Sequence, residues 1–156
     1  MKKLLLAAAL ALCALPAQAA DSNWGVKLGQ LSVDGDTSEA TQVGLVYTWD
    51  LAGIFGVEGE INSSLSDGQF PAAVDYGVTQ VAAYGVLMTP GPFYFKAKAG
   101  LAYSDVDVPG ADASADPSYG VGVGFELLGV VCEVEYTMTT GVDAGDIDYI
   151  TIGVKF

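Results

Sequence analysis

The chain has 156 residues, with nineteen acidic side chains against six basic ones, a formal net charge of −13, and no histidine. That balance excludes a nucleic-acid partner, because phosphate binding needs clustered lysine or arginine. The missing histidine removes the usual serine, cysteine and metal-site constellations of enzymes. Yet 51% of the residues are hydrophobic, so the apolar side chains must gather on a face that the charges avoid.

The front of the chain reads as a secretory signal. Lys2 and Lys3 form a charged n-region, Leu4 to Leu15 an apolar h-region, and Ala17-Gln18-Ala19 an A-x-A cleavage site. This predicts a signal peptide over residues 1–19, cut between Ala19 and Ala20, and one domain over 20–156. The apolar run is too short to cross a bilayer as a helix, which takes about 20 residues. Acylation at Cys13 is disfavoured, since Leu12 stands where a small side chain is usual. Only Lys27, Lys96, Lys98 and Lys155 then remain against all nineteen acids, a net charge of −15. Cys132 is left alone, so no intrachain disulfide is expected.

Helix signals are nearly absent and the apolar period is two. The first predicted strand covers 23–33, with Trp24, Val26 and Leu28 on one face. The second covers 41–50, with Val43, Leu45, Tyr47 and Trp49, and the third 55–65, with Phe55, Val57 and Ile61. The fourth covers 75–88, with Tyr76, Val78, Ala82, Tyr84, Val86 and Met88. The fifth covers 93–104, with Phe93, Phe95, Ala97, Ala99, Leu101 and Tyr103. The sixth covers 119–127, with Tyr119, Val121, Val123, Phe125 and Leu127, and the seventh 130–139, with Val130, Cys132, Val134, Tyr136 and Met138. The eighth, 149–156, carries Ile150, Ile152, Val154 and Phe156.

The connections alternate in length. Residues 34–40, 66–74, 105–118 and 140–145 are long and mostly acidic, whereas 51–54, 89–92 and 128–129 are tight. That is the rhythm of an up-and-down barrel with all long loops at one end and both termini at the other. The predicted fold is an all-β, eight-stranded antiparallel up-and-down transmembrane β-barrel.

The residues opposite the apolar face decide which side faces in. They include Lys27, Glu58, Glu60, Lys96, Lys98, Glu126, Glu133, Glu135 and Lys155, interspersed with glycines such as Gly25, Gly44, Gly120, Gly122 and Gly124. The interior of an eight-stranded barrel is narrow and filled by side chains. Large aromatics on nearly every strand would overfill it, while glycines leave room for long Lys and Glu chains that pair there. Four lysines against five glutamates approach the balance that a desolvated interior requires. Apolar outside and charged inside is stable only in lipid. Trp24, Trp49, Phe55, Phe93 and Phe156 are expected as a girdle at the short-turn end, and Tyr76, Tyr103 and Tyr119 at the long-loop end.

The run Tyr84 to Tyr103, an aromatic-Gly strand, a Pro-Gly-Pro turn and Phe-Lys-Ala-Lys-Ala-Gly-Leu-Ala-Tyr, together with the terminal Phe156, resembles the small bacterial outer-membrane β-barrels of the OmpA/OmpX-like and opacity type. The resemblance spans the domain as a pattern more than as a motif. It implies residence in the bacterial outer membrane, periplasmic termini and extracellular loops. It also implies that Ile150, Ile152, Val154 and Phe156 form the strand read by the barrel-insertion machinery after delivery by periplasmic chaperones. Val154 stands where a second aromatic is common.

Three chemistries are weighed. The lumenal charges form either a salt-bridged plug, the favoured reading, or a narrow ion path. The acidic loops form a solvated anionic surface that divalent cations bridge to lipopolysaccharide phosphates. Within them Asp143, Asp146 and Asp148 are candidate ligands for a hard cation, although the twelve-residue calcium-loop pattern is lacking. Acid–base catalysis by Glu58/Glu60 or Glu133/Glu135 is disfavoured, since both pairs lie on an inward face where a structural role suffices. The expectation is a monomeric, non-enzymatic surface or structural protein of the outer membrane without cofactor. A minor porin-like channel is the alternative, and a secreted soluble ligand-binding barrel, with apolar residues inside, the further one.

Overall fold

Alternating Val, Tyr, Thr and Gly favour extended chain, in which successive side chains point to opposite faces. The computed structural model of the protein describes residues 22–71, 74–108, 110–142 and 145–156; the expected signal peptide and the Ala19–Ala20 cleavage point lie outside them. The strands are β1 (Ser22–Val33), β2 (Ala40–Ala52), β3 (Phe55–Ser64), β4 (Gly68–Phe70), β5 (Val74–Tyr76), β6 (Val78–Met88), β7 (Phe93–Val106), β8 (Ser114–Leu127), β9 (Val130–Thr139) and β10 (Ile147–Lys155). Eight of them close into one antiparallel barrel in the order β1-β10-β9-β8-β7-β6-β3-β2, while β4 and β5 form a separate hairpin. Closure pairs β10 with β1, from Gly25 opposite Lys155 to Val33 opposite Ile147. No sheet edge of the barrel is left open to lipid.

The tight connections sit at one end. The β8–β9 turn places Leu128 and Gly129 at φ of 54° and 80°, the twist that lets a two-residue hairpin match its strands. At the other end two loops differ from expectation. Pairing of β7 with β8 continues to Ser104 opposite Ser114, which shortens that connection to 107–113. The longest connection is instead 65–77, which carries the β4–β5 hairpin.

The wall is inverted relative to a soluble barrel. Leu45, Ile61, Phe95, Leu101, Val121, Ile150 and Ile152 are exposed, whereas every lysine of the described chain is buried. Trp24, Trp49, Phe55 and Phe93 lie exposed toward the short-turn end, with Tyr47 between the two tryptophans, tilted against Trp24 and edge-to-face with Trp49, at ring distances of 4.5 and 4.7 Å. Phe156 is half-buried, and its N–H donates to the Trp24 carbonyl at 2.8 Å.

The fourth predicted strand needs correction in extent and in facing. It divides into β5 and β6, and Tyr76, Val78, Ala82, Tyr84 and Val86 are buried, with Met88 partly so, while Val81 and Leu87 face outward. Register is the cause. Tyr84 lies directly opposite Glu58, and Ala82 opposite Glu60, and directly opposed residues share a face. Tyr76 therefore leaves the expected girdle, whereas Tyr103 and Tyr119 remain exposed.

These inward residues complete an apolar cap at the long-loop end. Leu31, Val33, Val78, Val106, Ile147 and Tyr149 point in from the wall, and Tyr76 with Phe70 of the hairpin packs on them. The hairpin is anchored to the first loop, where Thr37 and Ser38 donate to the Gln69 carbonyl at 2.7 and 3.2 Å and Gln69 N–H returns a bond to Ser38. The Tyr76 hydroxyl donates to Asp36 at 2.5 Å. Burial first, and then the Asp36 carboxylate, hold that hydroxyl above the usual tyrosine range.

Candidate functional site

Below the cap the lumen is polar, then ionic. In the middle, Gln80 donates to Ser104 and Thr139 at 3.0 and 3.1 Å. Thr139 donates to Ser118 at 2.9 Å, and Ser118 shares a hydrogen bond with the Tyr84 hydroxyl at 3.0 Å. Asn62 bridges Glu60 and Gln80. This layer separates apolar cap from charge.

The ionic layer is built by inward positions of five strands. Lys27 lies 2.5 Å from Glu60 and 2.7 Å from Glu135. Lys96 lies 2.7 Å from Glu58, 2.9 Å from Glu133 and 2.6 Å from Glu135. Lys98 pairs with Glu60 at 2.5 Å and with Glu135, and its ammonium stands 4.3 Å from the centre of the Tyr84 ring. Lys155 reaches Glu58 at 2.9 Å and Glu133 at 3.3 Å. All eight side chains are buried. Four ammonium groups face four carboxylates, so the cluster is neutral, as stability in a low dielectric demands.

Small residues make this packing feasible. A methyl group on Gly25 would meet Lys155 Cγ at 2.6 Å, and one on Gly120 would meet Lys98 Cε at 2.6 Å. One on Gly124 would run into the Tyr94 ring.

Glu126 is the exception among the expected lumenal charges. It is exposed and makes no ion pair among the described residues. Although β8 continues its inward parity to this point, Glu126 stands at the short-turn mouth. There it lines a cavity of about 230 Å³ with Thr48, Asp50, Tyr94 and Lys155. Exposed at that mouth, it can be charged without a lysine partner.

Other members were not singled out by the sequence. Tyr94 donates to Glu133 at 2.6 Å and Thr48 to Glu58 at 2.9 Å. Tyr94 shares the parity of Lys96 and Lys98, a signal that its placement between two phenylalanines obscured.

Cation sites fare less well. Carboxylate oxygens of Glu58, Glu60 and Glu135 lie within 4.8 Å of one another, but each already carries lysine partners, so a metal ion would have to displace Lys27, Lys96 or Lys98. Of the loop candidates, Asp143 lies outside the described residues. Asp146 accepts the Gly141 N–H at 3.1 Å and Asp148 accepts the Tyr136 hydroxyl at 2.7 Å. The two are thus engaged separately.

The family described as "Outer membrane protein beta-barrel domain" matches residues 5–156. No curated protein matches the chain in sequence. Among solved structures, the chain is similar to neisserial surface protein A, at 11% identity over 86% of this chain and 94% of that one, with a TM-score of 0.61. It is also similar to Ail, the attachment invasion locus protein of Yersinia pestis, at 17% identity over 86% and 94%, TM-score 0.55. A third likeness is to the outer membrane enzyme PagL, at 12% identity over 86% and 98%, TM-score 0.56. At such identities the likeness is one of fold, and the fold hosts surface proteins and an enzyme alike.

Proposed function

We propose, from the premise that this chain belongs to the outer membrane protein β-barrel family, that it serves the bacterial outer membrane as a closed, non-catalytic barrel with a structural and surface-presenting role. The observation that carries this reading is the neutral cluster of four lysines and four glutamates across the lumen, stacked beneath an apolar cap. An ion entering from either end meets a desolvated layer.

The outer surface supports a presenting role. Since all four lysines are bound inside, the long loops carry acids without a single base. In this reading the loops face outward, the termini lie in the periplasm, and divalent cations link loop carboxylates to lipopolysaccharide phosphates. The β10 strand ending in Ile150, Ile152, Val154 and Phe156 is the segment handed by periplasmic chaperones to the insertion machinery. The barrel acts as a monomer.

The test is a planar-bilayer recording of the refolded protein. A quiet baseline is expected at voltages that leave the membrane intact. Discrete cation currents would overturn the closed-barrel reading in favour of the porin-like one.

A further inference from the structure

Among the described residues, the lumen holds a small set of buried polar atoms without a hydrogen-bond partner, and they converge. These are both amide atoms of Gln42, the Tyr149 hydroxyl and one oxygen of Glu135. All three residues line the same gap, with Glu60, Asn62, Gln80, Thr137 and Thr151 around it. Glu135 Oε2 still has an ammonium at 2.6 Å, so the unmet demand is that of Gln42 and Tyr149, which are 1% and 2% exposed.

Register explains why they meet. Gln42 and Thr151 flank Gly29 on its two neighbouring strands, and Tyr149 is the next inward position of β10. Gly29 has no side chain to place between them. A methyl there would run into the Ile150 carbonyl and Thr151, so the position stays bare. The surrounding donors are already committed, because Gln80 gives its amide hydrogens to Ser104 and Thr139, and Asn62 bonds Glu60 and Gln80. Buried amides and hydroxyls are almost always hydrogen-bonded. The Tyr149 hydroxyl stands near the Gln80 amide, whose hydrogens are directed to Ser104 and Thr139, and the Gln42 amide has no partner among the described residues.

We infer that the gap between Gln42, Tyr149 and Thr151 is an internal hydration site, holding ordered water that bonds the Gln42 amide and the Tyr149 hydroxyl. The chemistry selects a neutral guest. The ionic layer beside it is balanced at four charges of each sign, so an added ion would stand uncompensated. A guest able both to donate and to accept is needed, since Gln42 offers both and Tyr149 either. In the packing seen the gap is too tight for a water molecule, so the side chains around it part slightly to admit one. The site lies between cap and ion cluster, and its occupancy leaves the lumen closed; its failure would not touch the closed-barrel reading.

The experiment uses the refolded barrel in lipid vesicles, with Gln42→Met and Tyr149→Phe, which keep shape and remove the polar atoms. Each is expected to lower the urea midpoint of unfolding, read by tryptophan fluorescence, and the double variant to fall no further than the worse single one. Shared water couples the two sites. In the wild-type barrel in detergent, NMR cross-relaxation from water to the Gln42 side-chain amide protons is expected. A midpoint that holds or rises in either variant overturns the inference, since removing a truly unpartnered group relieves the fold. Lowered midpoints with no water cross-relaxation overturn it as well, because Gln42 and Tyr149 would then be bonding each other.

Discussion

Lys155, the penultimate residue of the chain, donates to Glu58 at 2.9 Å across 97 positions of sequence. The two stand three strands apart round the wall, joined through β1 and β2. The last strand therefore completes the hydrogen-bonded ladder and the charge balance of the lumen together.

Removal of that lysine tests the arrangement. Lys155→Met leaves Glu58 and Glu133 short of one cation in a desolvated lumen. It is expected to cost about 3 kcal/mol of unfolding free energy in vesicles, as loss of one partner of a buried pair does. Glu126→Gln, at the wet mouth, is expected to change stability by less than about 0.5 kcal/mol. Equal losses in the two variants would place Glu126 inside the network.

Neutrality, more than any single contact, is expected to govern the cluster. Lys98→Met should be more damaging than Lys98→Met combined with Glu60→Gln, because Glu60 keeps Lys27 as a partner but the cluster is left one negative charge in excess, and the second change restores three charges of each sign. A coupling of about 0.5–3 kcal/mol in a double-mutant cycle is expected. Strict additivity would show that the two groups do not sense each other.

The cap should loosen at high pH. Tyr76 has its ionisation pushed up by burial and by Asp36 beside it, whereas in an opened loop it ionises near pH 10. A group that holds its proton more tightly when folded stabilises the closed form fully below that value, and the contribution is lost as pH rises above it. Cleavage of the 65–77 connection by an alkaline-tolerant, broad-specificity protease should therefore accelerate above about pH 10. Tyr76→Phe should be cut faster already at pH 7, having lost a bond to Asp36 worth about 1.5 kcal/mol, and should show no alkaline step.

The outer wall gives a fourth test. Ile152 is 63% exposed, midway along β10. Ile152→Arg should cost about 2–4 kcal/mol in vesicles, where the charge must enter hydrocarbon. It should cost much less for the same protein in detergent micelles, where the side chain reaches water. A similar cost in both would argue against a lipid-facing position.

Much of this fold was legible in the chain. Strands such as β3 and β7 alternate cleanly, with Lys or Glu on one face and aliphatic or aromatic residues on the other, and their facing follows from the pattern alone. β6 did not yield, because both of its faces are apolar: Ala82, Tyr84 and Val86 on one, Val81 and Leu87 on the other. Period two is silent when both phases carry the same chemistry. Only pairing with β3, which sets Tyr84 against Glu58, turned that strand. Glu126 failed for a different reason: its parity was right, but it lies two residues from the tight 128–129 turn, at the open mouth where an inward position is no longer enclosed.

What the sequence determined by itself is the sorting. Lysines and glutamates at one phase of a two-residue period, with aliphatics and aromatics at the other, require a closed barrel whose apolar side is outermost, because neither face is stable in the other's solvent. The tertiary structure decided who meets whom inside. Stagger between strands brings Lys155 to Glu58, lifts Tyr76 into the cap and leaves Gln42 and Tyr149 facing one gap. Those encounters join residues up to about a hundred positions apart, and only the pairing of strands around the ring sets their heights.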